Sequence, residues 1–466
     1  MSVLNTITSR LKYIFILGIA CACESFVDVD LTETLVTSDK VFSNDITATS
    51  AVTGIYHDML DVESYASGSD KSITALTGFS SDELVSYSMD ANSVEFYAND
   101  ILPENTNVLS LWKTMYKSIY EANSVIEGIE KSNSLSPGVR SQLLGEARFV
   151  RAFSYFYLVN LFGPVPLITA TDYRINATLD RTDIDLVYNQ IDADLDYAES
   201  NLAGEYVTGD RARPNKYTAI ALRARVSLYM ENWSEAERLS SLIIENEMYS
   251  LEDIGNVFTK DSKESIWQLK PISADLNTLE GYFFILTSSP YVSIGANALS
   301  NSFVESFEPG DRRHDEWIGV YTEGNDSWYY PYKYKIQSGS ILSEYSIVFR
   351  VAEQYLIRAE ARARQNNLSG AIQDLDTLRY RAGLPSINDL DDSIDEGDFL
   401  LAVEQERKSE YFSEWGHRWS DLKRYQRAEA VLGSIKSGWS MDDILYPIPQ
   451  SERNKNPNLG NQNPGY

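Results

Sequence analysis

The residues best placed to do chemistry in this chain are aromatic and polar side chains that fall outside any helical period, and they gather in three stretches. The first holds Asp82, Tyr87, Asn92, Phe96 and Tyr97. The second holds Tyr282, Phe283 and Tyr291, and the third Trp317, Tyr321, Trp328, Tyr329 and Tyr330. Their chemistry suits a pyranose ring, which offers one face of C–H groups and a rim of hydroxyls. A flat Tyr or Trp covers the face with a large apolar plane and keeps a polar tip, while a carboxylate or amide meets the rim. The composition supplies the material, with 30 Tyr, 17 Phe and 8 Trp. Local loop packing is the competing reading of each residue taken singly.

Catalytic constellations are absent from the sequence. No HExxH, GxSxG, GxxxxGK[ST] or GxGxxG motif occurs, and HRWSD at His417–Asp421 shares only a superficial likeness with the kinase catalytic loop. His417 and Asp421 lie four apart on one helix face, which reads as a packed or ion-paired histidine. Among 68 acids no pair stands out as the two carboxylates of a glycosidase. Asp192, Asp194 and Asp196 imitate the start of a calcium loop, but Tyr197 and Ala203 occupy the positions that need Gly and Glu. Three His and two Cys cannot build a His/Cys metal cage. The expectation is a chain without metal, cofactor or catalytic residue.

Charge removes a further class. The 40 Lys and Arg stand against 68 Asp and Glu, a formal net charge of −28, and a field this acidic repels a phosphate backbone. Nucleic acid is therefore not expected as a partner, and strongly sulfated or uronic polymers would need a local basic pocket.

The N-terminus reads as an export signal. Arg10 and Lys12 precede an apolar run from Tyr13 to Ala20, far shorter than the ~20 residues of a membrane-spanning helix, and small residues follow. Both cysteines sit at this exit, where a disulfide two residues apart would be badly strained. A lipobox fits better, with Cys23 as the lipidated residue because Ala20 and Ala22 precede it at −3 and −1, and Cys21 as the alternative. This divides the chain into a signal peptide over 1–22 and a body over 23–466.

The elements that must position the three stretches are mostly helices. Leu109, Trp112, Tyr116, Ile119, Asn123 and Ile126 fall on one face of a helix over 109–131. The segment from Gly138 to Phe162 is apolar on most of its circumference and belongs in the interior until Gly163 and Pro164 stop it. Helical pattern continues over 184–202, 216–246, 347–381 and 400–425. Residues 251–345, rich in Gly, Ser, Pro, Trp and Tyr, read as loops and short strands between a helical part over about 24–250 and a C-terminal part over about 346–466. Glu146, Arg148, Arg151, Arg350, Glu353, Arg358 and Glu360 lie among apolar residues and are expected to pair with one another or to cap helices. Two segments align without a gap: Ala224 with Ala359, Asn232 with Asn367, Ala236 with Ala371. A small residue, a short polar turn and an early alanine is the logic of tetratricopeptide-like hairpins.

Ordered pieces along the chain carry a resemblance. They include CESFVDVDLTETLVTSDKVFSN from Cys23, GEARFVRAFSYFYLVNLFGPVPLI from Gly145, VFRVAEQYLIRAEARA from Val348, ERKSEYFSEWGHRWSDLKRY from Glu406, and the terminal NPNL and QNPGY. Together they resemble the SusD/RagB family over essentially residues 23–466. That resemblance implies a mostly α fold, a tetratricopeptide-like scaffold with a loop-rich, variable half that holds the ligand. It also implies a lipid-anchored protein on the outer face of the outer membrane, which captures oligosaccharides for a SusC-like TonB-dependent transporter. The RagB branch is associated with peptides instead. An extracellular glycoside hydrolase is the remaining, non-family reading.

Overall fold

The computed structural model describes residues 38–273, 275–390 and 393–466. Cys21, Cys23 and the signal segment lie outside the described residues. The principal helices are α1 (Asp45–Met59), α2 (Ile73–Ser80), α3 (Ala91–Ala98), α4 (Thr106–Lys131), α5 (Pro137–Phe162), α6 (Ile184–Asn201), α7 (Lys216–Tyr229) and α8 (Trp233–Ile244). After a loop-rich stretch carrying α9 (Leu279–Phe284) and α10 (Arg312–Trp317) come α11 (Val351–Arg364), α12 (Leu368–Arg381), α13 (Glu396–Tyr411) and α14 (His417–Arg424). Three antiparallel two-stranded ladders interrupt them: β1 (Leu84–Ser86) with β3 (Asn297–Leu299), β2 (Ser265–Leu269) with β6 (Ser346–Arg350), and β4 (Ile318–Glu323) with β5 (Asp326–Pro331).

Helix α5 is the spine. Phe149, Phe153 and Phe162 are fully buried, and Phe153 meets Trp267 at 5.4 Å, Phe349 at 5.9 Å and Trp415 at 5.5 Å. The helices stack outward from it in chain order, α4 on α5, α5 on α6, α6 on α7, α7 on α8, α8 on α11 and α11 on α12. The mostly α, tetratricopeptide-like fold expected from the sequence is present.

The two aligned hairpins share their turn in detail. Glu231 and Asn366 occupy equivalent positions and both adopt positive φ, 55° and 64°. The next residues, Asn232 and Asn367, cap their helices by accepting from Glu235 N and Gly370 N. Ala224, Ala359, Ala236 and Ala371 are fully buried where the helices cross.

The ionic residues on apolar helices are paired, as expected for buried charge. Arg213 forks onto Glu146, Arg151 onto Asp194 (2.6 and 2.8 Å), Arg225 onto Glu353 (2.6 and 2.8 Å) and Arg358 onto Asp374 (2.7 and 3.0 Å); Arg424 binds Glu360. Arg148 reaches Glu130 at 3.5 Å and lies over the Tyr197 ring. The three acids that imitate a calcium loop are ion-paired as well: Asp194 to Arg151, Asp192 and Asp196 to Arg223.

Several boundaries differ from expectation. The helical pattern predicted over 347–381 opens with a strand, because the β-branched and aromatic run Ser346–Arg350 is wholly buried against β2. The patterns over 216–246 and 400–425 each break into two helices. Part of the first loop-like stretch is α3, started by the Asp90 side chain accepting from Asn92 N, and Tyr282 sits on α9 rather than in a loop. Among the described residues, no helix is long and apolar enough to cross a membrane.

Candidate functional site: an exposed arc of rings

The ladders bring the three sequence stretches together. β1 runs beside β3, and the pairing extends by one step as Tyr87 N donates to the Ala296 carbonyl at 2.7 Å. This sets Tyr87 next to the loop before β3, which carries Tyr291. The β4–β5 hairpin turns through Gly324 and Asn325, with Gly324 at φ +63° as a two-residue loop demands. Its ladder sets Tyr321 directly opposite Trp328 and Gly319 opposite Tyr330. Side chains alternate along a strand, so Tyr321, Trp328 and Tyr330 share one face while Tyr329 packs toward the core on the other. A Cβ at Gly319 would stand 2.2 Å from the Tyr330 ring, so the glycine lets that ring lie across the ladder.

The rings form a continuous chain. Tyr87 meets Tyr291 edge to face at 4.9 Å, Tyr291 meets Trp328 at 6.4 Å and 85°, and Trp328 lies 6.3 Å from Tyr321 at only 26°. Partial burial, then Tyr291, raises the Tyr87 phenol above its ordinary pKa, while the Trp328 indole beside it acts the other way. Tyr291 remains 69% exposed, and Met89, Val292 and Ile294 beside the arc are exposed too. Such a surface presents ring edges and phenol hydroxyls to water, and among the described residues it holds no paired acid and base.

The other nominated residues divide. Tyr97 is exposed on α3 with its ring 5.0 Å from Lys436 Nζ, and Tyr330 is half-buried edge-on to Tyr332. Tyr282 contacts Phe283 at 5.2 Å and no ring of the arc. Asn92 is committed to structure: its Nδ2 donates to Asp90 and its Oδ1 accepts from Thr106 N, tying α3 to the start of α4.

Three nominations are corrected by burial. Phe96 is a core residue, edge-on to Tyr446 at 5.1 Å. Trp317 is fully enclosed, donates its indole N–H to the Ile254 carbonyl at 3.0 Å and lies under Lys333. Asp82 is buried beneath Arg418 (2.7 and 3.1 Å) and Lys408 (3.1 Å); burial raises its pKa, but those cations outweigh it and hold the carboxyl well below the usual range. All three are enclosed by the protein rather than presented at its surface.

His417 is structural, as its position implied. Burial first, then Arg225 and Arg407, drives its pKa down, and Arg407 donates to Nδ1 while also binding Asp421 at 2.7 Å. Among the described residues there is no group of three His, Cys, Asp or Glu that could hold a metal. Sequence reasoning missed the apolar neighbours Met89, Val292 and Ile294 and the role of Gly319. Only the ladder register could have revealed that glycine.

Comparison with known proteins agrees with this architecture. A SusD-like family model described as starch-binding and associating with the outer membrane matches residues 35–228, and the SusD family model matches residues 312–466. A SusD-like protein of Formosa agariphila is 25% identical, with 97% of this chain and 98% of that one aligned. A SusD superfamily structure from Bacteroides vulgatus superposes with a TM-score of 0.80 at 20% identity, covering 91% of this chain and 99% of that one. A structure named as surface glycan-binding protein A from Bacteroides uniformis superposes with a TM-score of 0.75 at 20% identity, covering 90% and 99%. Two family models that together match about three quarters of the sequence, a relative aligned from end to end and a shared hairpin scaffold converge on one assignment: the chain belongs to the SusD/RagB family.

Proposed function

We propose that this protein captures oligosaccharides at the cell surface and hands them to a SusC-like TonB-dependent transporter of the outer membrane, tethered there through lipid on Cys23 or Cys21. The carrying observation is the convergence of Tyr87, Tyr291, Trp328 and Tyr321, from three separated stretches, on one ring surface, half-buried at Tyr87, Trp328 and Tyr321 and exposed at Tyr291. Tyr291 at 69% exposure, with three half-buried rings and the exposed Met89, Val292 and Ile294 beside it, makes an apolar surface of the kind that marks a ligand site. A row of rings with phenol hydroxyls at its edge matches the C–H face and hydroxyl rim of sugars. The matched family description and the name of the Bacteroides uniformis neighbour support the same ligand class. The net charge of −28 favours neutral glycans over sulfated ones. The assignment includes no catalytic role.

An affinity-gel and glycan-array screen of the body from Ser25 onward, with product analysis, tests it. Retention of a polysaccharide without cleavage supports the proposal. Binding to a peptide pool but to no glycan would reassign the chain to peptide capture, and cleavage would overturn the non-catalytic reading.

A further inference from the structure

A second aromatic surface lies on α4 and shares no residue with the arc. Trp112 and Tyr116 form its floor, 5.0 Å apart, and Tyr116 is fixed by donating its hydroxyl to the Pro166 carbonyl at 2.8 Å. Tyr120, one turn further along, and Tyr173, beyond the end of α5, form the walls. The cleft between them holds about 410 Å³, within the ~300–1,000 Å³ typical of small-molecule sites.

The core does not account for these walls. Trp112 belongs to the buried stripe of α4, but Tyr120 and Tyr173 are 53% and 76% exposed. Of the polar groups in the lining, Thr171, Glu452, Lys455 and Asn456 are held by protein partners, and among the described residues three others keep a polar atom that is not. Trp112 is only 5% exposed; its indole N–H makes no hydrogen bond among the described residues and is not sealed from water, so it opens to solvent in the cleft. The Asn176 amide donates to the Ala170 carbonyl at 2.8 Å, which leaves its side-chain oxygen without a donor among the described residues. Lys113 at the rim has no ion-pair partner among them either, in a chain with 28 more acids than bases.

We propose that this cleft is a second carbohydrate site, which takes a short oligosaccharide with its ring faces against Tyr120 and Tyr173. A sugar oxygen accepts from the Trp112 N–H and a hydroxyl donates to Asn176 Oδ1, with Lys113 available to a further hydroxyl. A purely apolar ligand would leave the indole N–H and the amide oxygen unpaired, which is costly once water is displaced. A hydroxyl-bearing ring satisfies both and stacks on the tyrosines. The inference stands on the α4 cleft alone and does not depend on the arc.

The test disables the arc first. The Trp328→Ala body is titrated by calorimetry with maltohexaose, cellohexaose, xylohexaose and mannohexaose. The titrations are repeated with Tyr120→Ala and Tyr173→Ala added, two exposed positions at which the thermal melt is expected to stay intact. The expected result is residual binding of at least one of the four, weakened at least tenfold by the added pair. No residual binding of any of the four, or residual binding untouched by the pair, would overturn the second site. Failure of the arc itself shows separately, as wild-type and Trp328→Ala bodies that bind identically.

Discussion

Tyr321 and Trp328 stand directly opposite one another in the β4–β5 ladder, with their rings 6.3 Å apart and inclined by 26°. A cross-strand pair on a two-residue hairpin is fixed by backbone register, so on the proposed function the rings are positioned before any ligand arrives. Preorganisation of this kind saves the ordering cost that a mobile loop would incur on binding. Trp328 is half-buried and touches Tyr291 as well, which makes it the joint of the arc. Trp328→Ala is expected to weaken glycan binding by about 2 kcal/mol, roughly thirtyfold, while leaving the thermal melt nearly unchanged. Parallel titration and melting measurements check both parts.

Phe153 marks the other extreme. It is fully buried among Trp267, Phe349, Trp415 and Tyr157. Phe153→Ala removes a large ring from a region where the spine helix, the β2–β6 ladder and the α13–α14 corner meet. The expected loss is ~3–5 kcal/mol of folding stability. Denaturant titration with an unchanged slope would confirm a loss of packing without a change of fold.

Arg350 joins the loop-rich insertion to the scaffold. Its guanidinium contacts Glu264 at 2.9 Å and Glu414 at 2.9 and 3.0 Å, and also binds Glu410; it lies 4.0 Å from the centre of the Tyr411 ring. Removing one partner from a buried ionic network strands the others, so Arg350→Met is expected to destabilise by ~3–5 kcal/mol. A smaller effect, below ~1 kcal/mol by chemical denaturation, would show that the carboxylates find other cations.

Glu83 predicts a pH dependence. Burial, then Asp82, pushes its pKa up to about 8, against the opposing pull of the Ser413 N–H, Arg418 and Lys333. Between the ordinary carboxylate value of 4.5 and about 8, the folded state keeps a proton that the unfolded chain has lost. Stability from this group therefore falls as pH rises through that window. Glu83→Gln should be more stable than wild type at pH 8, by a margin of roughly 4 kcal/mol that shrinks toward zero near pH 4.5. Melts of both proteins across that range test the sign. A margin independent of pH would contradict it.

Helices were legible in the sequence because their apolar positions recur at three and four. The hairpin turns were legible because Asn232 and Asn367 align. Strand β6 was not, because Ser346–Arg350 is wholly buried around a three-residue apolar run, Ile347 to Phe349, that leads straight into the period of α11; a short apolar run has no readable period of its own. The arc was half-legible. Tyr87, Tyr291 and Trp328 stood out as aromatics without helical spacing, and so did Phe96 and Trp317, which tertiary contacts bury. Asp82 was misread because its partner Arg418 lies 336 positions away. Trp112 and Tyr116 lie on the packed face of α4 as their spacing implies, and that spacing carries no sign that they also line a cleft.

The most direct measurement of the central claim is a titration of the body with whichever glycan the affinity screen retains, comparing wild type, Tyr291→Ala and Trp328→Ala by calorimetry. The capture account predicts binding in the wild type, at least tenfold weaker binding in each variant, and matching thermal melts for all three. Equal affinity in all three proteins, with normal melts, would contradict it and remove the arc from the ligand site.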